Sequence, residues 1–167
     1  MINIETVEVV PEEDLTRLMH WREQVFPVEG RGMEWAQSTW HSVAYDAGGQ
    51  AIGHIGFGAF TLFEDSVERA VIGVGGVVVR PEHQSEGIPA QLFAEVHQQA
   101  EQRLGSDIFT LFCPLRLVPY YTRHGYGHHS GPVQFIQKGE LVTSNFEFMH
   151  RDGLSLDSAI ELKGNPW

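Results

Sequence analysis

The chain has 167 residues, 22 of them acidic against 11 basic, a formal net charge of −11, with 42% hydrophobic and 11% aromatic content. That is a folded globular composition, enough for one domain over residues 1–167 with helices on the faces of a sheet. The charge excludes nucleic acid and anionic membrane surfaces, which it would repel, and fits a cationic ligand, although acidic surfaces also serve solubility alone.

Residues 2–10 read as a first strand with imperfect alternation. Pro11-Glu12-Glu13-Asp14 then opens a helix well, since proline suits the first turn and carboxylates suit its positive end. Leu15, Leu18, Met19, Val25 and Phe26 fall on one stripe with Arg22 as the exception, and Pro27 stops it. After the Gly30-Arg31-Gly32 loop, residues 33–40 are expected to form a short second helix. From His41 the period becomes that of strands. Residues 42–45, a turn at 46–50, residues 51–62, a polar connection at 64–68 and residues 69–79 make an antiparallel meander. Glycine weakens strands, so Gly73, Gly75 and Gly76 mark a bulge or a close approach by ligand or backbone. A helix follows over residues 88–104, with Ile88, Leu92, Phe93, Val96, Ala100 and Leu104 on one face and Gly105 at its end. Residues 107–113 are a buried-type strand, residues 115–124 a short helix interrupted by Pro119, and residues 133–136 and 146–149 late strands. The tail, ending on Trp167, is expected to dock rather than fray.

The stretch from Val77 to Leu92 joins a β-branched run to a helix through a polar turn containing Gly87. The free N–H groups and dipole of a helix start favour an anion, so the stretch reads either as a phosphate cradle or as an ordinary strand-to-helix connection. Other constellations are weaker. His124, His128, His129 and His150 lack a helical register or a carboxylate at a telling spacing, so no metal is expected. The lone Cys113 permits no internal disulfide and reads as packing. Gly53, Gly56 and Gly58 do not precede a helix, so a dinucleotide fingerprint fails its context. No apolar run approaches the roughly 20 residues that cross a bilayer. Met1-Ile2-Asn3-Ile4-Glu5 lacks the basic start and apolar core of a signal peptide, and a cytoplasmic location is expected.

Taken in order, bulged strand, Arg80-Pro81 turn, glycine, helix, strand and short helix resemble the GCN5-related N-acetyltransferases. The family signature of Gln, two residues, Gly, one residue, Gly or Ala is met by Gln84 and Gly87 in Gln84-Ser85-Glu86-Gly87-Ile88-Pro89, with Pro89 departing at the last position. Tyr121-Thr122-Arg123-His124-Gly125-Tyr126 has the family's Tyr, three residues, Gly, aromatic spacing. The resemblance implies an α/β (α+β) fold, with a mixed, mostly antiparallel sheet of six to seven strands split by a β-bulge and flanked by about four helices. It implies acetyl-CoA as cosubstrate, its pantetheine along Val77, Val78 and Val79. The pyrophosphate would meet the N–H groups of Gln84, Ser85, Glu86, Gly87 and Ile88, with Ala90 small enough for close approach. Pro89 supplies no N–H there, though its fixed φ suits a first helical turn. Tyr121 would protonate the departing thiolate, and a backbone N–H such as that of Val77 would hold the oxyanion. Gly75 stands where a carboxylate base would be convenient, which makes His54 the first candidate base, with a hydrogen-bonded core histidine as the alternative.

A narrower similarity is to the aminoglycoside 2′-N-acetyltransferases, carried by His54, Gly131-Pro132, Leu156-Asp157 and the final Trp167. In that group the terminal Trp carboxylate and nearby acidic residues hold a cationic sugar. The substrate-binding residues expected here are Glu34 and Trp167, while Gly75 and Asn165 stand where that group has acids. The expected activity is acetyl transfer to a primary amine of a small cationic substrate, aminoglycoside-like in its most specific form. Acetylation of a protein or peptide amine, and a non-catalytic acetyl-CoA-binding module supported by Pro89 and Gly75, are the alternatives. The late strands can also pair across a two-fold axis as a homodimer.

Overall fold

The computed structural model describes residues 1–19 and 30–167, among which ten strands form one sheet. Its spine is the hairpin of β3 (Ala51–Glu64) and β4 (Val67–Val79). Asp65 and Ser66 turn that hairpin with φ of 47° and 69°, and a two-residue turn with both φ positive matches the right-handed twist of the strands it joins. β2 (Trp40–Tyr45) runs antiparallel along the first half of β3 and carries β1 (Asn3–Val7) on its outer edge. β10 (Ile160–Leu162) takes the other end of β3, with Ile160 opposite Glu64. It leads in parallel to β7 (Val133–Gln137), which pairs with β8 (Glu140–Thr143). On the far side β4 meets β5 (Phe109–Cys113) in parallel, and beyond β5 lie β9 (Glu147–Arg151) and the two-residue β6 (Gly127–His128).

Each face of the sheet has its own cover. α2 (Ile88–Leu104) buries Ile88, Leu92, Phe93, Val96 and Ala100 on Ile52, Ile55, Phe57, Ile72 and Val74. Burying each large aliphatic or Phe side chain there contributes about 1.5–3 kcal/mol, and Leu92→Ala would cost about 2–5 kcal/mol. Gly87 and Gly105 bracket the helix, both left-handed. On the opposite face Leu18 of α1 (Glu12–Met19) packs with Val10, Val43, Ala51 and Val78. Further along that face the tail brings Trp167 against Phe60 and Phe112. α3 (Val118–Arg123) follows a 3-10 turn at Leu115–Leu117. Among the described residues no helix is long and apolar enough to cross a membrane.

Several expectations need correction. Residues 33–38 carry no helix, because their backbone groups are held by distant parts of the chain. Ala36 N–H donates to Pro166 O at 2.7 Å, and the Gln137 side chain brackets Glu34, accepting its N–H at 2.8 Å and donating to its carbonyl at 3.0 Å. Pro119 does not interrupt the short helix; it lies in the first turn of α3, where no intrahelical N–H bond is lost. The sheet exceeds six to seven strands because of short additions, β6, β8 and β10 among them. The β7–β8 hairpin turns on Lys138 and Gly139, both with positive φ. Arg22, Val25, Phe26 and Pro27 lie outside the described residues.

Candidate functional site

The glycines of β4 make a floor on which other parts of the chain rest. A Cβ on Gly73 would lie 2.5 Å from the rings of Phe60 and Trp167, which stack on one another at 4.5 Å. A Cβ on Gly75 would lie 3.3 Å from the carbonyl carbon of Trp167. On β3, Gly56 lies beneath the Ser38 hydroxyl in the same way. The Trp167 indole N–H donates to Thr110 O at 3.3 Å, so the tail is tied to β5 as well. A depression of about 320 Å3 opens beside it, lined by Phe60, Thr61, Asn165 and Trp167 among others. The larger depression, about 580 Å3, is lined by α1 and Arg80, not by β5, α2 or α3.

Between Gly75 and Val78 the strand carries its bulge. Gly56 faces Gly75 and His54 faces Val78, so Gly76 and Val77 together oppose Ile55. Gly76 has φ of 59°, a conformation costly for other residues. The bulge inverts which main-chain groups face which neighbour. Ile72 N–H points toward β5, onto Ile108 O, and strict alternation would send Arg80 the same way; instead Arg80 N–H donates to Ile52 O of β3. Val77 and Val79 therefore present their backbone groups on the β5 side. There the β4–β5 pairing has ended, at Val74 opposite Leu111. The result is a gap bounded by a strand edge with no neighbouring strand among the described residues, the backbone geometry that accepts an extended ligand. The Val78 side chain turns away into the α1 cluster.

At the end of this edge lies the polar loop. His83, Gln84 and Glu86 use their N–H groups on Arg80 O, Pro81 O and His83 O within the loop. The N–H groups of Ser85, Gly87, Ile88 and Ala90 have no such partner among the described residues. Of the expected donors, the structure thus leaves Ser85, Gly87 and Ile88 available, adds Ala90, and commits Gln84 and Glu86. The Gln84 side chain donates to Val79 O at 3.2 Å and closes the loop onto the strand. The carboxylates nearby are occupied, Glu82 by Arg80 at 2.7 Å and Glu86 by His83 at 3.0 Å. Arg80 also donates to Arg17 O, which ties the loop to α1.

Tyr121 lies in α3 against Phe93 of α2, ring centroids 6.1 Å apart, and close to Cys113 at the end of β5. Burial, reinforced by Tyr120 and Cys113, raises its pKa, so the phenol stays protonated at neutral pH. Its hydroxyl has no hydrogen-bond partner among the described residues, yet no fully buried side-chain oxygen or nitrogen among them is unpaired. The hydroxyl therefore touches open space. Burial pushes the Cys113 thiol up to about 12, with Glu147 adding to it, and the thiol donates to Met149 Sδ.

His54 differs from a free base. Nδ1 is 2.6 Å from Gly76 O and Nε2 is 2.9 Å from His41 Nδ1. A carbonyl only accepts, so Nδ1 carries the proton, Nε2 is bare, and His41 must donate from Nδ1. Burial drives the His54 pKa down to about 4, against the opposing pull of the Gly76 carbonyl. His41, which the sequence reading treated only as a strand boundary, is the missed member of this set. A histidine two positions from Val43 on a strand facing Gly56 was the available signal.

Glu34 is exposed, and its main chain is clamped by Gln137, whose amide also reaches Asn165 Oδ1 at 3.4 Å. The segment bearing Glu34 and the tail bearing Trp167 thus meet. The other described histidines make separate contacts, and no three metal-ligating groups come together among the described residues. His128 pairs with Glu147, His129 with His150 and Ser158 O, and His124 stacks on Phe93.

A sequence model described as an acetyltransferase (GNAT) domain matches residues 6–129. Among solved structures, an acyl-CoA N-acyltransferase from Pseudomonas aeruginosa shares 19% identity over 91% of this chain and 100% of its own, with a TM-score of 0.59. A GNAT family acetyltransferase from Brucella melitensis in complex with acetyl-CoA shares 19% identity over 95% of this chain and 94% of its own, TM-score 0.57. A GNAT family N-acetyltransferase from Escherichia coli in complex with CoA shares 18% over 97% and 88%, TM-score 0.55. No curated protein matches the chain. These structures share the fold, and the family match spans the bulged strand, the polar loop and Tyr121: the chain belongs to the GNAT acetyltransferase family.

Proposed function

We propose that the chain moves the acetyl group of acetyl-CoA to the primary amine of a small cationic substrate. The observation that carries this reading is the gap beyond Val74, where the bulge turns the backbone of Val77 and Val79 toward a missing strand. The residues around the gap fit acetyl-CoA. An unpaired strand edge suits its pantetheine amides, and the N–H groups of Ser85, Gly87, Ile88 and Ala90 at a helix start suit its pyrophosphate. When bound, acetyl-CoA supplies a thioester that an unprotonated amine can attack. Val77 N–H stabilises the charge that develops on the carbonyl oxygen. Tyr121 gives its proton to the departing sulfur; its raised pKa keeps the phenol protonated before the transfer and also makes it a weaker acid.

Two features support a small amine. The tail lies on Gly73 and Gly75, leaving little room for an extended peptide along the bulge. The Trp167 carbonyl beside Gly75 offers an acceptor to an ammonium, and the net charge of −11 favours a cation. The most specific version is an aminoglycoside-like aminosugar, with Glu34 beside the tail as a second anchor. Thiol release measured with aminoglycosides, polyamines and basic peptides tests it. Turnover with small polyamines or aminosugars is expected. Turnover with peptides alone would make the acceptor a protein amine, and cofactor binding without turnover would make the chain a binding module.

A further inference from the structure

The hydroxyl of Tyr121 makes no hydrogen bond among the described residues, so nothing at that end aims it. Its direction is set from the backbone. α3 spans only the six residues Val118–Arg123, too few to stay helical alone. Its last turn closes on Tyr121 itself, whose carbonyl accepts the N–H groups of His124 at 3.0 Å and Tyr126 at 3.2 Å. Phe93 packs on the rings of Tyr121, His124 and Tyr126, but apolar packing is non-directional. Whatever fixes residues 124–126 by directional bonds therefore fixes Tyr121.

Those bonds come from Arg151, the last residue of β9. Its Nε donates to the Asp152 carboxylate at 3.0 Å, which holds one edge of the flat guanidinium. Nη1 donates to His97 Nδ1 at 3.2 Å and reaches His124 O at 3.5 Å. Arginine only donates, so His97 Nδ1 is bare and its proton is on Nε2, which donates to the Tyr126 hydroxyl at 3.0 Å. Burial, with the Arg151 charge adding to it, lowers the His97 pKa to about 4 and keeps that ring neutral. Gly125 makes the approach possible. A Cβ there would lie 3.2 Å from Arg151 Nη1, and its φ of 90° is one that other residues rarely adopt. The Tyr121-to-Tyr126 spacing is thus matched point by point. Gly125 admits Arg151, the Tyr126 hydroxyl closes on His97, and the Tyr121 carbonyl receives both N–H groups.

We propose that Arg151 is the positioning residue of the acid: it holds the turn after α3 through His124 O and, by way of His97, through Tyr126, and so fixes where the Tyr121 hydroxyl meets the departing sulfur. This rests on the acetyltransferase reading above. In the transfer the Tyr121 O–H bond breaks as an S–H bond forms, and the phenolate is restored by the proton the amine gives up as the amide forms. The guanidinium stays charged throughout. Because its raised pKa makes Tyr121 a weak acid, its contribution depends on distance and alignment, and a misplacement of about 1 Å can cost about 10²-fold.

The test is a double-mutant cycle between positions 151 and 121, read as kcat and KM for amine-dependent thiol release, with acetyl-CoA affinity and melting temperature measured in parallel. Arg151→Met keeps the reach of the side chain and removes its donors, whereas Arg151→Lys keeps the charge on a single nitrogen. We expect Arg151→Met to lower kcat about tenfold and Arg151→Lys about threefold, with both KM values and acetyl-CoA affinity within about twofold of wild type. In the Tyr121→Phe background the same substitutions should change kcat by less than about twofold, because the group they aim is gone. Equal factors in the two backgrounds would make Arg151 a general brace of the fold and overturn the proposal, as would a wild-type kcat in Arg151→Met. If Arg151→Met does not fold, Arg151→Lys closes the same cycle with the same two outcomes. A wild-type chain that binds acetyl-CoA but releases no thiol with any amine would overturn the acetyltransferase reading itself, whereas active wild type with an additive cycle overturns this assignment alone.

Discussion

His54 donates from Nδ1 to the carbonyl of Gly76 at 2.6 Å, at the place where β4 holds one residue more than β3. That bond fastens the bulge, and the bulge aims Val77 at the gap. Removing the imidazole leaves the Gly76 carbonyl and the His41 N–H without their partner. His54→Ala is expected to cost about 1–3 kcal/mol of stability and to lower kcat more than it changes acetyl-CoA affinity. His54→Asn, which keeps a donor at the same distance along the side chain, should recover most of the stability. Equal stability loss in both variants, measured by urea unfolding, would show that ring packing rather than the Gly76 bond holds the bulge.

The same histidine makes the fold acid-sensitive. His54 titrates at about 4 folded and near 6.5 unfolded. Between those values the unfolded chain binds more protons, so stability rises with pH across the window. The contribution is fully present above pH 6.5 and is lost as pH falls to 4. His97 and His150 are lowered to about 4 as well, chiefly by burial, and act in the same direction. Melting temperature measured at pH 7, 5.5 and 4.5 should fall steadily. A flat profile would mean these imidazoles are hydrated in solution.

Tyr121→Phe separates chemistry from folding. The hydroxyl has no hydrogen-bond partner among the described residues, so its loss orphans nothing there. The melting temperature and acetyl-CoA affinity should hold while kcat drops by about 10²-fold or more. Unchanged turnover would remove Tyr121 from the mechanism.

Trp167→Ala removes the ring from Gly73, Phe60 and Phe112. A loss of about 3–5 kcal/mol is expected from its burial, together with a raised KM for the amine and an unchanged KM for acetyl-CoA. Gly73→Ala tests the same contact from below, since its Cβ would lie 2.5 Å from the two rings, and should also raise the amine KM. If both KM values rise together, the tail is a packing element only.

Pro89 leaves the helix start of α2 with one N–H fewer than an alanine would. Pro89→Ala restores that donor while keeping helix propensity. Calorimetry should show tighter acetyl-CoA binding. Weaker binding would mean that the proline ring, by fixing φ in the first turn, orders the loop more than the missing donor weakens it.

The legible parts of the fold were those written in short-range pattern. α2 occupies residues 88–104 as its periodicity and its two flanking glycines require, because an amphipathic stripe and left-handed caps are local constraints. The glycines of β4 signalled a bulge or a close approach, and both occur within four residues. The resemblance that led to the family used the same local spacings, around Gln84, Gly87 and Tyr121.

Residues 33–38 were illegible for the opposite reason. Their apolar spacing suits a helix, but Glu34 and Ala36 bond to Gln137 and Pro166, more than 100 positions away. No window along the sequence contains that competition. The same holds for the site. Sequence alone determined a strand, a glycine-hinged loop, a helix start and a tyrosine at family spacing. Only the tertiary structure decided that Trp167 lies on Gly73, that His54 is committed to Gly76, and that His41 donates to His54. Those are contacts between strands and tail, set by register and by the absence of a Cβ on the facing strand, and a one-residue shift in either would have erased them.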